Sequence, residues 1–257
     1  MNNNETIDIK ELGETLLDVA ALLMNNGASS NRVRLTVSRI SESYGYQSNL
    51  LIINTALTLS LNKGGEENIY NSLRRTSPPA VNFKIVSGIS RMSWSVAETF
   101  WSLEKINNEL KRLKELPHYH RLIILTFVSL AGASFCRIFD GSLLEMAVAF
   151  IATLVGLFVR QELTKHKLML YVTIFFASFS ASFIAAIAGK ILPNETMEHA
   201  FAASVLFLIP GVPLINSCSD LLDGNILTGL ARGIHALIIG FGISLGILTT
   251  TLIFQLL

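Results

Sequence analysis

The chain has 257 residues, 51% of them apolar and only 15% charged, with a formal net charge of +1; an ordinary soluble domain carries about 25% charged residues. The near-neutral balance without a basic block excludes a nucleic-acid binder, and two cysteines, Cys136 and Cys218, both inside apolar segments, exclude a disulfide framework. The charge is unevenly divided: residues 1–120 hold 13 Lys/Arg and 12 Asp/Glu, residues 121–257 only seven of each, so a soluble first half precedes a membrane second half.

The start, MNNNETIDIKELGE, is polar and acidic and lacks the basic and apolar regions of a cleaved signal. Over 11–26, Leu12, Leu16, Val19, Ala20 and Leu23 fall at helical spacing. Gly27 suits the left-handed position after a helix, and Ser30 suits the cap of a second helix over about 31–44. QSNLLIIN and TALTLSLN read as strands, KGGEE as a turn and NIYNSLRR as a third strand. After Pro78-Pro79, helices are expected over about 81–95 and 96–116. The second of these carries Glu104, Lys105, Glu109, Lys111 and Lys114 as a charged face and is ended by Pro117. Trp94 and Trp101 are expected in the core. Arg74 and Arg75 read as a solvated strand end rather than an anion contact. His118 and His120 flank Tyr119 without metal-ligand partners and read as interfacial. No Gly-rich phosphate loop and no Cys/His metal spacing occurs, so no cofactor or metal is expected. Residues 1–118 form an α+β domain, long enough for a modest core.

Residues 119–257 read as membrane. A spanning helix needs roughly 20 apolar residues, and five segments meet or approach this: about 122–139, 143–159, 168–189, 200–216 and 233–257. The fold class is thus an α-helical multi-pass membrane protein of five spans with an N-terminal α+β domain. The approach KRLKELPHYHR and the loop RQELTKHK are basic, while the turn at Asp140 and the loop ILPNETMEHA are not. The positive-inside rule then puts the N-terminal half and the 220–232 loop in the cytoplasm and the C-terminus outside. NET at Asn194 reads as a chance sequon in a bacterial protein.

The fourth span is broken. In LIPGVPLINSCSDLLDG, residues 208–224, two prolines and a glycine fall within four positions. Each proline removes a donor and crowds the preceding turn, so Pro210, Gly211 and Pro213 are expected to free carbonyls near 206–209 inside the bilayer. Such breaks mark substrate and ion sites in secondary transporters; a kink used only for packing is the plain alternative. Asn216 offers donors and an acceptor. Asp220 lies one turn beyond, on the same face if the helix resumes, where it could carry a proton or hold an ammonium group. Arg232 has two readings, carboxylate receptor or interfacial anchor. Glu145, opening the second span, reads either as a proton relay or as an interfacial carboxylate beside Asp140. Gly240, Gly242 and Gly246 line the fifth helix, the last two in small-xxx-small spacing that favours close helix contact, with another subunit as one candidate.

The run ASVLFLIPGVPLINSCSDLLDGNILTGLARG resembles the signature of the threonine/serine exporter family. Ala203, Ser204, Val205, Pro210, Gly211, Pro213, Leu214, Asn216, Asp220, Gly224, Gly229, Ala231 and Arg232 all fit it. Upstream, LLMNNGASSNRV resembles the family's helix–Gly-Ala–helix opening, and FDGSLLEMAVAFIATLVGLFVRQ its second span with a terminal arginine, here Arg160. The resemblance implies a cytoplasmic N-terminal domain followed by five spans in the inner membrane, and the larger subunit of the split two-component type, needing a smaller membrane partner of about 150 residues. It implies export of threonine or serine, or of a dicarboxylate such as succinate. Residues 65–85 match the family weakly.

Two other classes remain open on the sequence. A membrane aspartyl protease is argued against because Asp220 and Asp223, three apart on one segment, do not face each other across a cleft. A membrane-anchored sensor would need neither five spans nor a broken fourth one.

Overall fold

The computed structural model describes residues 8–53, 56–63, 66–77, 80–117, 119–192 and 197–255; Pro78-Pro79, His118, Gly64-Gly65 and the Asn194 sequon lie outside the described residues. The chain divides into two compact units, residues 1–117 with 212–234, and residues 118–211 with 235–257.

The first unit opens with α1, Ile9–Asn25, capped by the Asp8 carboxylate on Lys10 N at 2.9 Å. Its apolar face, Leu12, Leu16, Val19, Ala20 and Leu23, is fully buried, as the helical spacing predicts. Gly27 follows at φ 86°, with Ala28 N on Leu23 O and Gly27 N on Met24 O, the paired bonds of a Schellman end. α2 runs Ser30–Ser43. Its cap is Ser29, whose hydroxyl accepts from Arg32 N at 3.4 Å, one residue earlier than the sequence suggests. Ser30 is therefore the first helical residue, and its N–H has no partner inside the helix.

Three antiparallel strands follow in the order β1-β2-β3: Gln47–Ile53, Ala56–Lys63 and Glu66–Arg75. Leu57, Leu59 and Leu61 alternate along the central strand and are fully buried, as period-2 patterning requires. α3, Phe83–Thr99, and α4, Leu103–Lys114, close the core through Val86, Ile89, Val96, Ile106, Leu110 and Leu113. The expected boundary at 95/96 is corrected. α3 continues through Val96 to Thr99 and ends at Phe100, left-handed at φ 48°; Ser102 then caps α4. Trp94 is not in the core: it is 53% exposed, with the Arg39 guanidinium 3.7 Å above its ring. Arg74 is not merely solvated, because its guanidinium pairs with Glu14 and Asp18 of α1.

The remaining helices are α5, Arg121–Ile138; α6, Leu143–Lys165; α7, Leu170–Ile191; the short α8, Glu198–Ser204, continued by a 3₁₀ turn, Leu206–Leu208; α9, Gly211–Leu222; and α10, Ile226–Phe254. In the second unit small residues let these helices approach closely. A Cβ on Gly156 would lie 2.7 Å from the Ala181 Cβ, and one on Gly246 would lie 2.7 Å from Phe179 N. Gly242 and Gly246 thus serve contact with α7 of the same chain. Large apolar side chains point outward, such as Phe127, Leu143, Leu237 and Phe241, a surface suited to lipid.

Among the described residues four helices, α5, α6, α7 and α10, are long and apolar enough to cross a membrane, and a fifth span is added if 198–208 and 211–222 are counted as one broken element. The helix that carries the second span continues past Val159. It runs to Lys165, its charged last turns held by Glu162 with Arg121 at 2.9 Å and Lys165 at 3.8 Å. The helix that carries the last span begins at Ile226, ahead of residue 233.

Candidate functional site

The break itself is built from one proline, not two. α8 and the 3₁₀ turn end at Ile209, extended at ψ 126°, as a residue before proline must be. Leu208 N and Ile209 N bond to Val205 O and Leu206 O at 3.0 and 3.1 Å, and Gly211 N reaches over Pro210 to Ile209 O at 2.9 Å. Of the carbonyls near 206–209 expected to be free, those of Leu206 and Ile209 are therefore taken by the tighter turn. Pro213 is the third residue of α9, where the N–H it lacks would have had no helical partner anyway. It starts the new helix and breaks nothing. A Cβ on Gly211 would meet nothing within 4 Å, so this glycine is not required by crowding.

α9 resumes the helix, so Asn216 and Asp220 do share a face. Neither Asp220 nor Arg232 lies in a loop, as the sequence had it: Asp220 is inside α9, Arg232 inside α10, and a turn at Gly224, φ 78°, joins the two. Gly229 makes the hairpin tight, since a Cβ there would lie 2.8 Å from the Leu221 side chain and 3.0 Å from its backbone nitrogen. Ser217 Oγ donates to Gly229 O at 2.7 Å across the hairpin.

This hairpin belongs to the first unit, and its polar face is committed to the N-terminal helices. Asp220 is fully buried. One carboxylate oxygen accepts from Arg232 Nη1 at 2.7 Å, the other from the backbone N–H of Ser30 at 3.2 Å. A carboxylate at the start of α2 also meets the positive end of the helix dipole. Arg232, with 13% of its side chain exposed, extends its second nitrogen to Ala28 O at 3.3 Å and to the Met24 sulfur at 3.4 Å. Asn216 Nδ2 donates to Gly27 O at 2.9 Å. Arg34 of α2 donates to Asn225 Oδ1 at 2.9 Å, and Thr228 donates to Ile52 O at 3.0 Å. Two polar atoms of this cluster, Ser30 Oγ and Asn225 Nδ2, are buried and make no hydrogen bond.

The structure thus brings Asn216, Asp220 and Arg232 together. Pro210 and Gly211 belong to the other unit, as does Glu145, which accepts from His199 and caps its own helix. Sequence reading misses Ser30, Arg34, Asn225 and His199 as site residues. The first two carry only a weak signal, the GASSNRVR run after a helix end; the partners are some 190 residues away. Among the described residues no group of three or more His, Cys, Asp or Glu could hold a metal ion.

Chemically, the cluster is a buried ion pair ringed by donors: a guanidinium, a helix-start N–H, a side-chain amide, and a hydroxyl and amide still without partners. Comparison with known proteins gives this arrangement a context. A family model described as "Putative threonine/serine exporter" matches residues 14–254. The chain belongs to the threonine/serine exporter family. Family membership makes it a transporter component rather than an enzyme, and its several long apolar helices are those of a membrane protein. It is 29% identical over 234 residues to the "Probable succinate transporter subunit YjjP" of Klebsiella aerogenes, covering 90% of this chain and 89% of that one. The protein of the same name in Escherichia coli K12 is 27% identical over 239 residues, covering 91% of each chain. The "Threonine/serine exporter" of Corynebacterium glutamicum is 22% identical over 236 residues, which are 89% of this chain but 48% of that protein. No solved structure matches the chain.

Proposed function

We propose that the chain is the larger subunit of a two-part secondary exporter in the bacterial cytoplasmic membrane. In this reading it has five spans, the broken 198–222 element among them, its N-terminal half is cytoplasmic and its C-terminus lies outside. Its partner is a smaller membrane subunit of the same family. The cargo is a small carboxylate-bearing metabolite, first an amino acid of threonine or serine size.

The observation that carries this reading is the buried Asp220–Arg232 pair at 2.7 Å. Separating the two leaves one carboxylate and one guanidinium facing each other in a site of low water content. An α-amino acid satisfies both at once, its ammonium on Asp220 and its carboxylate on Arg232 and the start of α2, without changing the net charge. Asn216, one turn away on α9, supplies a further amide. Pro210 and Gly211 let the chain change direction ahead of this hairpin, which gives alternating access a hinge.

A dicarboxylate is the second reading. It is favoured by the two relatives that align over about nine-tenths of both chains and are named as succinate transporter subunits. In that case Arg34 and the unpartnered amide of Asn225 take the second carboxylate. Efflux from cells preloaded with labelled threonine, serine or succinate, with and without the co-expressed small subunit, separates these. Amino-acid efflux that requires the partner supports the first reading, succinate efflux alone the second. Efflux of none of the three overturns the exporter assignment.

A further inference from the structure

The second unit holds a buried carboxylate that the site above does not use. Glu145 sits in the first turn of α6 and is 2% exposed. Its Oε2 accepts from Ser142 N at 2.9 Å while Ser142 Oγ accepts from Glu145 N at 3.2 Å, a capping box. Its Oε1 accepts twice from one residue of another helix: from His199 N at 3.1 Å and from His199 Nδ1 at 3.0 Å. α8 has no cap of its own, because the residue in the cap position, Met197, offers no side-chain acceptor. One carboxylate therefore caps two helices. The His199 side chain is 39% exposed, in contrast to the buried acid it touches.

An ionised carboxylate can only accept, so in this arrangement Nδ1 carries the proton and donates it. A further proton from water can enter only at Nε2. The other charged or titratable groups that the packed elements bring to this end are few. α5 contributes Cys136, buried, and Arg137, which donates to Gly141 O at 3.2 Å. The α5–α6 turn contributes Asp140, α7 the exposed Lys190, and α8 its own Glu198. None of these is hydrogen-bonded to the Glu145 carboxylate among the described residues.

We propose that Glu145 and His199 form a proton-exchange site whose charge state sets the hold on α8. This rests on the exporter reading and adds the coupling proton to it. A proton from water binds His199 Nε2 and gives the imidazolium. The Nδ1 proton stays on the ring, because a carboxylic acid is a stronger acid than an imidazolium, and an imidazolium–carboxylate ion pair results. One proton has been gained, and only the new Nε2–H bond has formed. The Nδ1–H···Oε1 hydrogen bond is now charged at both ends and stronger, so the start of α8 is held more tightly. α8 is joined through Val205 to the 3₁₀ turn that ends just before Pro210, and the proton is therefore read at the break.

The test uses the full chain with its co-expressed partner, and efflux is followed at external pH from about 5.5 to about 8, the range in which imidazole ordinarily changes charge. The wild type is expected to change rate several-fold across that range. His199→Gln, which keeps an amide N–H for Oε1 but cannot titrate, is expected to transport at a rate independent of pH, and so is Glu145→Gln. A wild-type pH profile retained by His199→Gln overturns the proposal and leaves Glu145 as a structural cap only. A second readout needs no transport. In a Cys218→Ser background, thiol labelling of buried Cys136 is compared at equal pH between chains that keep His199 and chains that carry His199→Gln. Labelling of the histidine form should be several-fold slower at about pH 5.5 and equal at about pH 8. Equal labelling at both also overturns the proposal, whatever the substrate proves to be; absence of any efflux with the labelling difference intact would count against the exporter reading alone.

Discussion

Asn216 donates its side-chain amide to the carbonyl of Gly27 at 2.9 Å, across 189 residues of sequence. The acceptor is available because Gly27, left-handed after α1, turns the chain out of the helix. A helix end near the N-terminus and a polar face near the C-terminus are thereby one structure, and the Asp220–Arg232 pair sits beside that bond.

Removing one partner of this pair should be costly. Asp220 is fully buried, and breaking a buried pair from one side costs about 3–5 kcal/mol because the other charge is left alone. Asp220→Asn should lower the thermal midpoint of the purified protein by several degrees and abolish export. Asp220→Asn combined with Arg232→Met should regain part of the stability but none of the export. A stable, transporting Asp220→Asn protein would remove the pair from both roles.

The hairpin glycines should respond by position. Gly229→Ala drives a methyl to within 2.8 Å of Leu221 and should destabilise by about 1–3 kcal/mol. Gly224→Ala must adopt φ 78° and should cost about 1–2 kcal/mol. Gly240→Ala meets nothing within 4 Å and should be neutral or slightly stabilising, since alanine is the better helix former. Thermal unfolding of the three variants in detergent gives the order.

Gly246→Leu tests the contact with α7. Its Cβ alone would lie 2.7 Å from Phe179 N and 2.8 Å from Phe175 O. The variant should fold poorly, and the residual folded protein should keep the wild-type oligomeric state by size-exclusion chromatography with light scattering. A well-folded variant with an altered oligomer would instead place this stripe between subunits.

Alkaline stability should depend on Tyr44. Burial pushes its phenol up to about 12, and its hydroxyl donates to Trp101 O at 2.5 Å. The folded state therefore resists ionisation, while the unfolded phenol ionises near 10. The unfolded state holds fewer protons between these values, so stability present below about pH 10 is lost progressively up to about pH 12. Tyr44→Phe should be less stable at neutral pH by about 1 kcal/mol and should show a shallower loss across that alkaline window, read by circular dichroism.

What sequence can and cannot disclose follows from range. Gly27 and the apolar stripe of α1 are legible because helix periodicity and the left-handed end are local. The long apolar helices are legible too, though the charges from Arg160 onward mislead about the end of α6: a charge stops a hydropathy window, whereas Glu162 pairs with Arg121 and the helix continues. Ser29 and Ser30 are adjacent and chemically alike; only the distant Asp220 decides which one stays outside the helix and which offers its N–H. Pro213 reads as a breaker because a proline's effect depends on its place in the turn, and that place is fixed by the end of the preceding 3₁₀ turn. Glu145 is legible as unusual, but its partner His199 lies 54 residues on, beyond any local pattern.

The first unit is discontinuous, made of residues up to 117 and of 212–234. A ribosome adding about 5–20 residues per second emits α1 and α2 roughly ten seconds or more before the hairpin that supplies Asp220 and Arg232. In that interval the Ser30 N–H and the Gly27 and Ala28 carbonyls are without their final partners, while α5, α6 and α7 are being handed to the membrane. The early domain is complete only after most of the membrane helices exist, so the docking of the hairpin is a late assembly checkpoint. Chains truncated before residue 212 should reach the bilayer yet remain susceptible to protease at the junction of α1 and α2.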